Sequence, residues 1–404
     1  MKHFGLALTF LTITIFGFAQ TKIANKFGNG LYYVMAEDSS FKMKFGARFQ
    51  SLYIGEWDLI DRADVQNGSS NFLIRRARLK FDGFAFSPKL IYKLEIGLSN
   101  RDIGTVSSYT NQAPNMILDA ALKWNVFGNF SIWGGQTKLP GNRERFISSG
   151  NLQFVDRSLL NSKYNLDRDI GIQLHNHFSI GQVIISEAFA FSQGEGRNIT
   201  VGNIGGYEYT GRIEILPFGA FSGKDYAGRG DEYVGSSLKR DETPKLAIAA
   251  TYDYNQGSPK TRGNLGSFMA NDIGHHETDI QTIFVDMMFK FKGLSMMAEY
   301  ANKQANDPIA KNSDGTETGD KVYVGQGVNV QFGYLLKNNL EIAARYTSIT
   351  PDTAIGNPFS QYTLGISKYI VGHKLKVQGD VAYNTFNGSD DTGLMTRLQF
   401  DIHF

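Results

Sequence analysis

Residues 72–83 read FLIRRARLKFDG, a segment in which strand-forming side chains alternate with charged ones. Successive residues of a β-strand point to opposite faces, so the segment divides into two sets. The densely charged face carries Arg76, Arg78, Lys80 and Asp82. The apolar face carries Ala77, Leu79, Phe81 and Gly83. A sheet with these faces fits either a soluble sandwich with one solvated side or a membrane wall around an aqueous pore.

The N-terminal stretch MKHFGLALTFLTITIFGFAQ has the layout of a secretory signal peptide. Lys2 gives the basic start, an apolar run covers residues 4–18, and Gly17 and Ala19 are the small residues before a cut after Ala19. A membrane anchor is the alternative, but a spanning helix needs about 20 apolar residues. We therefore predict that residues 1–19 are a cleaved export signal.

Composition leaves two classes of exported protein open. The chain has 404 residues, a net charge of +2 and no cysteine. This balance offers no electrostatic basis for nucleic-acid binding, and disulfides and thiolate metal sites are excluded. After residue 20 no long apolar run occurs. A soluble secreted protein and an outer-membrane barrel both fit, because barrels distribute their apolar residues by alternation.

Alternating segments recur from residue 41 to the C-terminus and predict sixteen antiparallel strands. They cover residues 41–54, 72–84, 88–99, 116–127, 129–136, 168–178, 181–192, 206–216, 244–255, 278–291, 293–303, 322–336, 338–348, 360–371, 373–385 and 393–404. Bacterial outer-membrane barrels have an even number of strands. The pattern therefore predicts an all-β fold, a transmembrane antiparallel β-barrel over residues 41–404, preceded by a periplasmic segment over 20–40.

The predicted connections alternate between short turns and long polar loops, as in outer-membrane barrels. Examples are the turn 127–129 and the loops 55–71 and 100–115. The longest loop, 137–167, is the third, and we predict that it folds into the lumen. The connection 217–243 is an exception, since it is long where a short periplasmic turn is expected. It contains either a further hairpin or an ordered excursion.

Three stretches are similar to one known family: RRARLKFDG at 75–83, SSGNLQFVDRS at 148–158 and GDEYVGSSLKRDETPKLAI at 230–248. In this order they resemble the phosphate-selective porin O and P family, in the form found in Bacteroidetes-type bacteria. The resemblance extends over nearly the whole mature chain. It implies a sixteen-stranded outer-membrane porin, usually trimeric, with an anion-preferring channel. It also implies that the long 217–243 connection is a shared feature.

A row of basic residues is the candidate anion path. The polar faces of strands 41–54 and 72–84 carry six cations against one acid, Asp82; the cations are Lys42, Lys44, Arg48, Arg76, Arg78 and Lys80. Arginine forks match phosphate oxygens, so a ladder of them offers an anion successive weak sites. The third loop and the strand after it add Arg143, Arg145, Arg157 and Arg168.

The alternative is a solvated wall without ion preference, because porin interiors are polar in any case. Acidic residues on other polar faces weaken the field: Glu208, Glu214, Asp253, Glu299, Glu341 and Asp380. Arg75 is out of step with the alternation and is predicted to lie on the lipid side. There its side chain would extend to the headgroup region, with lipopolysaccharide phosphates as a candidate partner.

No motif in the chain nominates an enzyme. His175 and His177 share a strand face but have no third ligand at a diagnostic spacing, and no histidine is accompanied by a catalytic partner. We therefore predict no catalytic centre, no metal site and no cofactor. The alternative function is a barrel hydrolase or a surface-binding barrel without channel selectivity.

The function that follows is a diffusion channel for small hydrophilic solutes with a preference for anions such as phosphate. Its predicted location is the outer membrane of a Gram-negative bacterium, and its predicted partners are outer-membrane lipid, lipopolysaccharide and small anions. A homotrimer is expected and nucleic acid is not. The alternating Phe400, Ile402 and Phe404 end the chain as the closing strand of a barrel would, and we expect them to serve assembly.

Overall fold

Sixteen β-strands pair with their neighbours in chain order, and the last pairs with the first, from Thr392↔Leu59 to His403↔Arg48. All of these pairs are antiparallel, so the sheet closes into a barrel. The strands are β1 (Phe41–Ile60), β2 (Asp64–Ala85), β3 (Leu90–Gly97), β4 (Ile117–Phe127), β5 (Phe130–Lys138), β6 (Arg168–Ile180), β7 (Val183–Ser192), β8 (Glu208–Leu216), β9 (Lys245–Ser258), β10 (Thr278–Phe291), β11 (Leu294–Ala305), β12 (Gly325–Leu335), β13 (Leu340–Pro351), β14 (Phe359–Tyr369), β15 (Leu375–Phe386) and β16 (Thr392–His403). The predicted sixteen-stranded barrel is confirmed.

The structure is a computed structural model that describes residues 19–23, 26–62, 64–104, 106–223 and 230–404. Apart from Ala19, the predicted signal peptide lies outside the described residues. In the segment before the barrel, a strand at Ala19–Ile23 pairs with one at Tyr32–Ala36, which pairs in turn with the start of β1. Among the helices of the described ranges, none is both long and apolar enough to span a bilayer.

The two faces of the barrel wall differ in burial and polarity. On β9, Ala249, Thr251 and Asp253 are at most 3% exposed, whereas Ile248 and Tyr252 are 46% and 48% exposed. The same alternation recurs around the barrel, because successive side chains of a strand point to opposite sides. We call the buried, largely polar side the inner face and the exposed apolar side the outer face.

The connections follow the predicted alternation. Turns of two to five residues join β2 to β3, β4 to β5, β6 to β7, β10 to β11, β12 to β13 and β14 to β15. On the other side, β1–β2 and β15–β16 are joined by three and five residues, and the remaining connections are longer loops. These loops include two short helices, α1 (Arg143–Phe146) and α2 (Leu159–Tyr164), and four short strands (Ala270–Asn271, Gly274–His275, Ile309–Lys311 and Glu317–Lys321). The exception on the short-turn side is again the connection after β8, residues 217–244.

The predicted loop 55–71 is instead the end of a long hairpin. β1 and β2 continue to pair from Gly55↔Ser70 to Ile60↔Asp64. Tyr53 and Phe72 pack against each other at the base of this extension, with ring centroids 4.8 Å apart and ring planes tilted by 48°. The prediction of a loop was wrong because polar residues here pair across the ladder without an alternating pattern that would reveal it.

A β-bulge corrects the prediction for Arg75. Gln50 pairs with Arg76 and Ser51 with Ile74, so Arg75 has no partner on β1. An extra residue of this kind bends the strand and redirects side chains. The Arg75 guanidinium therefore reaches Asp156, with Nε and Nη2 at 3.2 and 2.9 Å from its carboxylate oxygens. The prediction that Arg75 lies on the lipid side was wrong.

Candidate solute path

A cavity of about 1230 Å³ follows the inner face of β1–β5. The described residues that line it include eighteen Lys or Arg residues and seven Asp or Glu residues. The acidic ones are Asp82, Glu95, Asp102, Asp119, Asp156, Asp167 and Asp231. Positive charge therefore dominates the wall of this cavity, although the chain as a whole carries only +2.

Six of the predicted cations form a ladder on the first hairpin, and we call Lys42, Lys44, Arg48, Arg76, Arg78 and Lys80 the basic stripe. The register sets Arg48 opposite Arg78 and Lys44 opposite Asp82. All six line the cavity. The period of two in the sequence is what brings them to one face.

The stripe has more acidic partners than the sequence indicated. Asp82 is the acid on the polar faces of residues 41–54 and 72–84, but neighbouring segments supply others. Arg48 forms a forked contact with Asp401 of β16, with N–O distances of 2.6 and 2.9 Å. Arg78 forks onto Asp102 of the 98–116 loop at 2.5 and 2.7 Å. Forks of this kind hold the guanidinium planes in place, so these arginines are fixed side chains rather than mobile ones.

Arg143 does not line the cavity. Its side chain is 0% exposed, and it forms salt bridges with Asp286 of β10, at 2.8 Å, and with Glu214 of β8. Its Nη1 also donates to the carbonyl oxygen of Glu232, at 3.1 Å. The prediction that Arg143 belongs to the anion path was wrong, because the guanidinium is enclosed by carboxylates and cannot meet a solute.

Gln153 ties the 139–167 loop to five consecutive strands. Its amide nitrogen donates to Ser295 of β11 and to Glu341 of β13, both at 2.8 Å. Its amide oxygen accepts from Gln331 of β12, and its backbone oxygen accepts from Ser367 of β14 and Gln378 of β15. The residue is 4% exposed, so these partners replace water for it.

Asp156 of the same loop contacts β2 and β13. Its carboxylate accepts from Arg75 and Arg76 of β2, while its backbone oxygen accepts from Arg345 of β13 at 2.9 Å. Burial disfavours the charge, but the guanidiniums of Arg75 and Arg76 hold the pKa of Asp156 well below its usual range. One loop residue therefore contacts strands from two distant parts of the barrel.

Arg145, Arg157 and Arg168 line the cavity beside Lys138. Arg168 pairs with Asp119 at 3.0 Å, and Arg145 pairs with Asp167. Arg157 donates to the carbonyl oxygens of Glu144 and Ile147, at 2.9 and 2.7 Å. Burial and the adjacent Arg145 lower the pKa of Arg157 to about 9, which leaves the side chain cationic at neutral pH.

Several inner-face acids are bound by the protein itself. Asp380 forks with Arg397 at 2.7 and 2.9 Å, and Glu299 accepts the backbone N–H of Glu144 at 2.8 Å. Glu341 accepts from Tyr369 at 2.6 Å in addition to Gln153. None of these three acids is among the residues that line the 1230 Å³ cavity.

The histidines have packing partners. His175 stacks on Trp133, with ring centroids 3.8 Å apart, and its Nε2 lies 3.0 Å from the side-chain oxygen of Gln173. Within the described part of the chain, no group of three or more His, Cys, Asp or Glu side chains is suited to hold a metal ion.

Sequence reasoning missed some cavity-lining cations. Lys93 on β3 and Arg397 on β16 lie on inner faces that the alternation already identified, while Lys374 comes from the turn before β15. The first two could have been found by extending the analysis of polar faces from the first hairpin to every strand. Lys374 could not have been found in this way, because side chains in a turn do not alternate between two faces as those of a strand do.

Residues 46–401 match the family model described as phosphate-selective porin O and P. Solved structures with a similar fold include OmpF of Salmonella typhi in complex with daunomycin (14% identity, TM-score 0.55, 90% of this chain and 98% of that chain covered). Others are an anion-selective porin from Comamonas acidovorans (11%, 0.51, 90% and 100%) and the outer-membrane channel DcaP of Acinetobacter baumannii (12%, 0.51, 90% and 97%). These identities establish the fold alone. No curated protein sequence matches the chain.

Proposed function

The chain belongs to the phosphate-selective porin O and P family of outer-membrane channels, and we propose that its channel prefers small anions such as phosphate. Porins are passive channels, so the family agrees with the prediction that the protein is not an enzyme. The preference itself rests on one observation, the eighteen basic and seven acidic residues that line the cavity of about 1230 Å³. Charged walls of one sign select ions by raising the local concentration of the opposite sign.

We also propose that the 139–167 loop lies inside the barrel and narrows its lumen. Its contacts support this position, because Gln153 reaches β11–β15 while Asp156 reaches Arg76 on β2. The loop binds the wall that carries Asp286, Glu299 and Glu341 and leaves the basic stripe facing the cavity. Anions would then pass between the loop and the stripe.

A homotrimer is the proposed assembly. β3 has eight residues, fewer than the roughly 9–11 that a strand needs to cross the hydrocarbon layer. On β2, beyond the residues that pair with β3, Phe72 and Ile74 are 82% and 53% exposed. A second copy packed against this part of the wall would cover both features. Export by a cleaved signal, contact with lipopolysaccharide and a Bacteroidetes-type source remain predictions.

Reversal potential tests the preference. Purified protein is inserted in a planar bilayer under a salt gradient, with potassium chloride, potassium phosphate and a potassium salt of a sugar acid compared. We expect reversal potentials of the sign that anion flux produces, larger at low salt because screening is weaker. A potential of the cationic sign in all three salts would refute the proposed preference.

A further inference from the structure

The connection between β8 and β9 is a long segment on the side of the barrel that otherwise has short turns. It covers residues 217–244, of which 217–223 and 230–244 are described. Asp231, Glu232, Ser236 and Ser237 are at most 5% exposed. Polar residues of an ordinary periplasmic turn would face water. Residues 230–237 are therefore folded against the protein, and we call them the collar.

Lys290 binds the collar to the barrel wall. This inner-face lysine of β10 is 0% exposed, and its ammonium lies 2.6 Å from the carboxylate of Asp231. It also donates to the backbone oxygens of Asp231, Val234 and Ser236, at 2.7, 2.9 and 2.8 Å. A buried ammonium is stable only when it is paired and hydrogen-bonded, and here one short segment supplies all of these oxygens. The collar conformation and the Lys290 charge therefore depend on each other.

The collar also contacts the 139–167 loop. The backbone N–H of Gly235 donates to Asn151 at 2.7 Å, and the Glu232 carbonyl accepts from Arg143 at 3.1 Å. A side chain at Gly235 would meet the backbone of residues 151–153 within 3.0 Å, so glycine permits this close approach. Phe221, earlier in the same connection, is 3% exposed and packs with Ile147 of the loop.

Tyr233 joins the collar to the same buried charges. Its hydroxyl donates to Glu214 at 3.0 Å, and its ring lies 5.2 Å from the Arg143 guanidinium. Its ring also packs against Phe146 of the loop, with centroids 5.1 Å apart. Arg143 of the loop and Tyr233 of the collar thus both bind Glu214 of β8.

The collar lines the solute cavity. Asp231, Tyr233 and Val234 border the cavity of about 1230 Å³ together with Arg145 and Arg157 of the loop. We propose that the collar is the second part of the constriction, so that the channel is narrowed by one segment from each side of the barrel, with Lys290 as the positioning residue. This inference rests on the channel function but not on its anion preference.

Introduced cysteines test the position of the collar, since the chain has none of its own. Val234→Cys is incorporated in a bilayer and treated with a negatively charged methanethiosulfonate reagent. We expect a stepwise loss of single-channel conductance, because the added group occupies the narrow part. Lys337→Cys, in the exposed turn between β12 and β13, is the matched control and should keep its conductance. Fully labelled Val234→Cys protein with unchanged conductance would overturn the proposal.

Substitution of Lys290 tests its positioning role. We expect Lys290→Met to raise the conductance and to speed the labelling of Val234→Cys, because the collar loses its anchor. Lys292→Met is the control, since its side chain is 57% exposed. A folded Lys290→Met protein with the conductance and labelling rate of the parent would contradict the role of Lys290. The two proposals can fail separately. If labelling of Val234→Cys lowers the conductance but the channel shows no ion preference, the proposed anion preference is refuted and the proposed position of the collar stands.

Discussion

Arg48 and Arg78 face each other across the β1–β2 ladder, and each guanidinium reaches the hydroxyl of Ser149 in the 139–167 loop, at 2.6 and 3.5 Å. Like charges directly opposite each other on neighbouring strands repel, and the carboxylates of Asp401 and Asp102 compensate the two guanidinium charges. These two arginines of the stripe are therefore held both by carboxylates and by the loop. Its effect on ions depends on the excess of positive over negative charge rather than on free cations.

Neutralising part of the stripe should shift ion preference toward cations. In Arg76→Gln, Arg78→Gln, Lys80→Gln the face stays polar, but Asp156, Asp102 and Glu95 lose cationic partners. Screening acts over about 30 Å at 0.01 M salt and about 8 Å at 0.15 M, so the shift in reversal potential should be larger at low salt.

The matched control removes the same number of charges away from the cavity. Lys26, Lys337 and Lys368 are exposed and do not line the cavity, so their replacement by glutamine should leave the reversal potential unchanged. If the triple variant of the stripe behaves like this control at both salt concentrations, the stripe is only a solvated wall.

Arg143→Met should destabilise the barrel and release the loop. Removing one partner of a buried ion pair costs about 3–5 kcal/mol. Asp286 and Glu214 would each lose one of two guanidiniums, because Arg212 also binds both carboxylates. We expect a lower midpoint of heat-modifiable mobility in detergent gels and noisier single-channel currents. Lys163→Met, a change of a partly exposed cation in α2, serves as the control. A midpoint equal to that of the control would show that Arg143 does not anchor the loop.

Deletion of Phe404 should lower the amount of folded protein in the outer membrane. The backbone N–H of Phe404 donates to Ala47 at 2.9 Å, and its ring meets Phe27 edge-on, with centroids 6.1 Å apart. The last residue thus joins the seam between β16 and β1, whose closure removes the free edges of the sheet. The measurement is the amount of heat-modifiable protein in membrane fractions. Phe386→Ala, in another exposed aromatic position, is the control, and equal amounts in both variants would contradict an assembly role.

Ionisation of the Glu195 carboxyl should lower the stability of the folded barrel as the pH rises toward about 7. This carboxyl in the 193–207 loop is 1% exposed, and burial with the nearby Asp169 raises its pKa from 4.5 to about 7. The folded state therefore binds a proton that the unfolded chain releases above its ordinary pKa, so stability is highest below that value and is lost up to about pH 7. Glu195→Gln, neutral throughout, should match the parent near pH 4 and exceed it by on the order of 1 kcal/mol near pH 8. Thermal midpoints of heat-modifiability at both pH values provide the measurement, and a constant difference would contradict it.

The wall of the barrel could be predicted from local pattern. Each strand shows the period of two that separates a lipid side from a water side, and this is a property of a few neighbouring residues. That is why Lys44, Arg48, Arg78 and Lys80 could be assigned to one face before any contact was known. Turn residues likewise indicated where short and long connections alternate.

The interior was decided by tertiary structure. Arg75 has no cross-strand partner on β1, and its side chain lies on the side opposite to the predicted one. The sequence could not show this, because a bulge depends on the register with the partner strand. Arg143 had the same local appearance as Arg145 and Arg157, yet it is enclosed by Asp286, which lies 143 residues further along the chain. Lys290 and the collar meet in the same way, across 59 residues. Alternation determines which face a side chain takes, but only the closed barrel brings distant charges together, and burial then decides which of them remain available to a solute.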